Sequence, residues 1–230
     1  MLIARASFSI ALLLAALPGA AAQPIIIDGE LNEPAWAGAQ TFTDFRVTEP
    51  LTREVPPYGT ELRVLARPEG LFFGARLEHP RDQRTHGRSP RDSPNMGADP
   101  LIVIVDFEGR GRSAYEFTVS LSGAVRDSVV LNQTDISTDW DAVWYSAVHE
   151  DDTGWSVEIE IPWSVAPEGV VNGETRTIGF YVSRYLKRAA IRYAFPAIEL
   201  FNSTFVQNFQ RIEVPRYKTS SFDFVPYVSA

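Results

Sequence analysis

An all-β sandwich of two mainly antiparallel sheets is the fold this sequence predicts, and three observations carry that prediction. Apolar and polar residues alternate with period two along much of the chain. Helical periodicity is scarce beyond residue 22. Turn residues interrupt the pattern at short intervals, and 16 prolines and 15 glycines among 230 residues supply them. The length suits one domain with a sizeable core.

The elements follow in order. Arg5 precedes an apolar run from Phe8 to Leu17, broken by Pro18-Gly19, and Ala20 and Ala22 then suit cleavage by a signal peptidase. The run is well short of the ~20 residues that span a bilayer, and no later stretch is long enough for a transmembrane helix. Residues 1–22 are therefore expected to be a signal peptide, 23–218 the sandwich domain, and 219–230 a C-terminal tail. The product is expected to be periplasmic or secreted.

A short helix is expected at Glu33 to Trp36, because Pro34 suits a first helical turn. Thr60 to Arg67 and Leu71 to Leu77 alternate around Pro68-Glu69-Gly70 and predict a hairpin. From His79 to Ala98 almost no apolar residue occurs. This is expected to be a long, mobile surface loop, with a lid over a site as the alternative. Leu101 to Phe107 is nearly all apolar, as in a central strand buried on both faces. Tyr115 to Leu121, Val125 to Leu131 and Ala142 to His149 follow as strands. Trp155 to Trp163 is the clearest case, with Trp155, Val157, Ile159 and Ile161 opposite Ser156, Glu158 and Glu160. A second short helix is expected near Trp163 to Ala166. Thr177 to Ser183, Arg192 to Phe195 and Phe209 to Val214 complete the set.

Composition removes several function classes. The net charge of −8 opposes a nucleic-acid partner, which needs a basic footprint. With no cysteine there is no disulfide or thiolate metal site, and three histidines make a histidine-rich centre a poor fit. The motifs of serine hydrolases, zinc proteases, phosphate loops and dinucleotide sites are missing. No organic cofactor is expected. Asp99 and Asp106 are weak candidates for a structural calcium ion, with Asp127 and Asp135 further oxygen donors, but the spacing is not that of an EF-hand.

Two constellations carry chemistry. Around Trp140 and Trp144, Asp139 and Asp141 crowd the indoles. An indole suits the apolar face of a sugar ring, and adjacent carboxylates accept its hydroxyls. Trp36, Trp155 and Trp163 are expected to be packing residues, as is Trp144, while Trp140 stays open between core and platform. Glu158 and Glu160, two apart on one strand, lie ~6.6 Å apart along it, within the range a glycosidase pair could use. Solvated or paired structural carboxylates are the preferred reading, and a glycoside hydrolase is the alternative.

Four segments also resemble a known family. Ile27-Asp28-Gly29-Glu30-Leu31-Asn32-Glu33-Pro34-Ala35-Trp36 is similar to the start of carbohydrate-binding modules of family 9 and their relatives. Asp139 to Trp144, Gly154 to Trp163 and Gly179 to Arg184 extend the likeness over most of the chain. The resemblance implies an immunoglobulin- or jelly-roll-like sandwich, non-catalytic, that binds an oligosaccharide or polysaccharide or keeps the scaffold without the sugar site. It adds Arg184 to the glycan-contacting candidates and makes it a partner for the two glutamates. The version here is similar to the N-terminal domain of exported bacterial proteins that continue into an outer-membrane β-barrel. Phe222 to Ser229 matches the junction, so the tail is expected to be the first strand of that barrel and the polypeptide a partial product. A structural appendage of such a barrel, with no sugar ligand, is the remaining alternative.

Overall fold

A computed structural model of the chain describes residues 23–165 and 173–217. The expected signal segment 1–22 and tail 219–230 lie outside the described residues. The described residues form two antiparallel sheets. The smaller runs β1 (Gln40–Phe42), β3 (Thr60–Ala66), β4 (Gly70–Glu78), β10 (Gly154–Pro162) and β9 (Tyr145–Glu150). The larger runs β2 (Arg46–Glu49), β12 (Ile191–Phe195), β11 (Thr175–Leu186), β5 (Pro100–Asp106), β6 (Ala114–Ser120), β7 (Val125–Leu131) and β8 (Asp135–Ser137). The twelve-residue β11 is long enough to pair one edge twice, with β13 (Gln210–Pro215) along Thr175–Phe180 and with β12 along Val182–Leu186.

Alternation decides the packing. Val157, Ile159 and Ile161 of β10, with Leu71, Phe73 and Leu77 of β4, meet Val103, Val105, Phe117, Phe180 and Val182 of the larger sheet in one buried core. Each such side chain contributes about 1.5–3 kcal/mol through burial. The predicted strands are all present, with ends shifted by a few residues, and the two predicted helices are 3-10 turns at Pro34–Gly38 and Trp163–Val165. β1, β2 and β8 were not anticipated. Three or four residues are too few to display an alternation.

Trp36 is buried, but on the outer face of the smaller sheet and not at one end of the sandwich. Gly74 makes room for it: a Cβ there would lie 2.9 Å from the indole. Beside Gly74 across the ladder, Glu158 is fully buried. Its carboxylate accepts hydrogen bonds from Trp36 Nε1 (2.9 Å), Asp28 N (3.0 Å) and Gly29 N (2.9 Å). Gly29 adopts φ +91°, and a Cβ would strike the backbone of Val148 and His149 at 2.5 Å. One carboxylate thus fastens the whole N-terminal segment to the sheet.

A second buried polar group sits at the end of the sandwich. His79 is 1% exposed, with Nδ1 3.6 Å from Asp99 Oδ2, and Arg84 Nε donates to the His79 carbonyl at 2.8 Å. Burial, aided by Arg184 and Arg84 against the opposing pull of Asp99, brings His79 down from 6.5 to about 4. Burial, together with the Glu33 charge, pushes Glu158 up from 4.5 to about 7 in spite of its three N–H donors. These groups oppose each other. Below about pH 6.5 the unfolded chain gains a proton at its histidine that folded His79 refuses, so stability falls with acid down to about pH 4. Above about pH 4.5 the unfolded chain loses a proton that folded Glu158 keeps, so stability falls with rising pH up to about 7.

Between pH 5 and 6.5 (a roughly chosen window inside both ranges) the two slopes cancel in the wild type. Replacing Glu158 by Gln leaves His79 unopposed, and stability relative to wild type should rise with pH by about 1.4 kcal/mol per unit at most. His79→Gln should give the opposite slope. Urea midpoints measured across this window check both signs; profiles parallel to wild type in both variants would contradict the account.

Candidate functional site

Strand β5 is buried on both faces, so the larger sheet needs cover on its outside as well. The segment after β12 provides half of it. Phe205, Val206 and Phe209 lie on Ile104, Ala114, Val130, Tyr181 and Ala194 as a second apolar cluster. Gln133 holds this cover in place: its Oε1 accepts Val206 N (2.8 Å) and Gln207 N (3.2 Å), and its Nε2 donates to Gly111 O (2.7 Å).

The other half of the outer face is a cavity of about 440 Å³, within the size range of small-ligand sites. Its walls are Ile102, Ile136, Leu200 and Phe201, and its hydrogen-bonding groups are Glu116, Arg126, Ser128, Thr138 and Arg192. The register sets Glu116 between Ile104 and Ser128, and Thr118 beside Arg126. Glu116 is 2% exposed and accepts from Arg126 Nη2 and from Thr118 Oγ1 at 2.8 Å. Arg192 Nε donates to Glu49 at 3.0 Å and Nη1 to Ser183 Oγ at 3.3 Å. The Ser128 hydroxyl is buried and has no hydrogen-bond partner among the described residues. Phe201 takes φ +57°, rare for an aromatic residue, and meets Phe205 edge-on with centroids 5.2 Å apart. The lining therefore joins apolar and aromatic surface to fixed donors and acceptors, with each arginine matched to a carboxylate.

The segment from 79 to 98 is a loop, as expected, and Asp92 and Pro94 form one wall of this cavity. It is fastened to the body at many points. Arg126 Nη1 donates to Pro94 O (3.3 Å), Lys187 Nζ to Met96 O, and Asp99 accepts Thr85 N (2.9 Å). Arg91 is the main latch, with Nη2 at 2.9 Å from Asp127 Oδ1 and 2.7 Å from Asp141 Oδ1, and Nε at 3.2 Å from Asp92.

The residues singled out in the sequence are dispersed. Residues 138–144 are not a strand; they close the open side of the sandwich. Trp144 is 8% exposed against Phe117, with Nε1 donating to Asp127 at 3.3 Å, a packing residue as expected. Trp140 is half-buried on Tyr115, centroids 4.7 Å apart, and packs against the core. Asp141 is exposed and engaged by Arg91, and exposed Asp139 receives no side-chain donor among the described residues.

Arg184 departs from expectation. It is 1% exposed on the inner face of the other sheet and donates to Gly59 O (3.2 Å), Thr60 Oγ1 (3.2 Å) and Glu78 O (3.1 Å). It therefore pairs with neither Glu158 nor Glu160 and does not reach solvent. Nor do the two glutamates form a catalytic dyad. Glu158 is sealed beneath the N-terminal segment, its oxygens committed to three N–H groups, while Glu160 is half-buried and faces a surface groove.

The two calcium candidates do not come together. Asp99 and Asp106 stand at opposite ends of β5. Asp106 accepts Glu108 N, Gly109 N and Gly111 N, and Asp99 accepts Thr85 N and Lys187 N, so both are loop anchors. Asp28, Glu33 and Glu158 bring carboxylate oxygens within 4.8 Å of one another, but those of Glu158 already serve the N–H groups above.

Sequence reasoning missed Glu116, Arg126, Ser128, Arg192 and Phe201. Alternating with Tyr115 and Phe117, Glu116 reads as part of a solvated strand face. The signal lay next door: if β5 is apolar on both sides, the polar face of β6 beside it is covered too.

No protein-family model matches the chain, and no curated protein does. Solved structures do. A family 9 carbohydrate-binding module from Caldicellulosiruptor kristjanssonii, in complex with cellotriose, superposes with a TM-score of 0.53 at 14% identity, over 90% of this chain and 96% of that one. This chain has the fold of a family 9 carbohydrate-binding module. A structure of such a module from the same organism, in complex with glucose, gives 0.53 at 15% identity over 89% and 96%.

If Arg91 latches the loop, Arg91→Ala should free residues 87–97 while the sheets stay intact. Hydrogen exchange followed by mass spectrometry should show their amides exchanging about tenfold faster or more, with β5 unchanged. Equal protection in both proteins would contradict the latch.

Proposed function

We propose that this chain is a non-catalytic, carbohydrate-binding-like domain whose sugar seat is the cavity on the outside of the larger sheet. The observation that carries the reading is the cavity's mixed lining. Phe201 and Leu200 offer apolar surface for the face of a sugar ring, and Arg126, Arg192 and Thr138 offer partners for its hydroxyls. The fold supports the reading, because solved modules of that fold hold cellotriose and glucose. A hydrolase is disfavoured by the sealed position of Glu158, since a glycosidase needs both acids at the scissile bond.

The reading extends to location. Residues 1–22 act as an export signal and the domain works in the periplasm or outside the cell, where polysaccharide is met. Attachment to an outer-membrane barrel rests on the sequence of 219–230 alone. No described helix is long and apolar enough to cross a membrane.

Titration calorimetry with cellotriose, glucose and an array of soluble oligosaccharides tests the seat. Binding of at least one sugar is expected, and Phe201→Ala should weaken it by about 1–2 kcal/mol, roughly tenfold. Trp140→Ala should change it little. Flat heats throughout would leave a scaffold without a sugar site. Loss in Trp140→Ala with Phe201→Ala unchanged would return the seat to the 138–144 segment.

A further inference from the structure

A second groove lies at the edge of the sandwich, where β9 and β10 of the smaller sheet face Gly123 and Val125 at the start of β7. Its volume is about 570 Å³, and it is shallower and more open than the first cavity. Tyr145 and Glu160 are direct cross-strand neighbours on this face. Directly paired side chains stand ~5 Å apart at Cβ, so ring and carboxylate sit side by side. Tyr145 is 52% exposed, the largest aromatic surface offered by the smaller sheet. Among the described residues Glu160 has no hydrogen-bond or ion-pair partner. Ile25 and Ile27 of the N-terminal segment form one wall, and Val125 and the edge of Trp144 the other.

The first wall is built, not incidental. Ile26 N donates to Glu33 Oε1 at 3.1 Å, Asp28 N and Gly29 N donate to buried Glu158, and Arg67 Nη1 donates to Gln23 O at 2.9 Å. Glu33 of the same segment, Glu158 of β10 and Arg67 of the turn after β3 thus hold residues 23–29 in line beside the Tyr145–Glu160 pair. A fixed wall, an exposed ring and a free carboxylate acceptor make an amphipathic cleft with no cation among its described lining residues. That chemistry suits a neutral, hydroxyl-rich ring: the phenol face takes its C–H surface and the carboxylate takes its hydroxyl protons.

We infer that the Tyr145–Glu160 groove is a second sugar-contact site, separate from the first cavity, that takes a neutral sugar unit. Two separate sites would let one domain make two sugar contacts, raising retention on an insoluble polysaccharide through avidity. The sugar class rests on the proposed function, while the groove's existence as a site does not depend on the Phe201 cavity being occupied.

The test is amide-resolved NMR of the assigned protein, titrated separately with cellotriose, xylotriose and chitotriose. With at least one of them, shifts are expected at Ile25, Ile27, Tyr145, Ser146 and Glu160, with saturation independent of any change near Phe201. Tyr145→Ala should weaken that response at least tenfold and leave the Phe201 region as in wild type. Phe201→Ala should do the reverse. A response near Phe201 alone overturns the second site and keeps the first; a response in the groove alone supports the groove and removes the first. A groove response unaltered in Tyr145→Ala, or silence in both regions with all three probes, overturns the inference.

Discussion

The larger sheet is apolar on both sides at its centre and has only one partner sheet. Every described residue of β5 except Pro100 is buried, and its neighbours β6 and β11 carry Ala114 and Tyr181 outward into the same apolar patch. Leaving Ile102 and Ile104 in water would forfeit several kcal/mol. The chain answers by folding residues 198–209 back over the sheet, seating three aromatic rings there and tying the crossing down through Gln133. The cover is shorter than the sheet is wide. What it leaves open is the cavity, rimmed by residues near the start of the cover, Leu200 and Phe201.

The smaller sheet meets the same problem with different means. Its outer face is largely polar, so a single buried carboxylate suffices to hold its cover. Glu158 collects the indole N–H of Trp36 and two successive backbone N–H groups, and Gly29 and Gly74 remove the side chains that would obstruct that approach. The cost is a carboxyl held in low dielectric beside Glu33, visible as its rise to about 7. The motif from Ile27 to Trp36 is therefore a clasp. It shapes the groove beside Tyr145 only by holding Ile25 and Ile27 in place.

Much of the fold was legible in the sequence because period-two alternation directly records which face of a strand meets the core. β4, β5, β6, β7 and β10 could be placed within a few residues on that signal. β1, β2 and β8 could not, because their pairing is set by tertiary neighbours and not by their own pattern. The site was less legible. Trp140 and Trp144 drew attention as aromatic residues among acids, yet Asp141 serves Arg91, the Trp144 indole is held by Asp127 from β7, and the indoles plug a seam. Arg184 reads as a surface cation and lies fully inside, its charge spread over two carbonyls and a hydroxyl. The residues that line the cavity come from five separate strands and three loops, a convergence that only the sheet order creates. Phe201 is the extreme case, since its left-handed backbone leaves no mark in the local sequence.

The central claim is that the uncovered half of the larger sheet is the ligand seat. A crystal structure of the full chain grown with the tightest-binding member of an oligosaccharide array tests it most directly. The account predicts a sugar ring against Phe201, with one hydroxyl within hydrogen-bond distance of Arg126 and another near Arg192 or Thr138. A sugar bound at Trp140 and Asp139, with the cavity beside Phe201 empty of ligand, would contradict it.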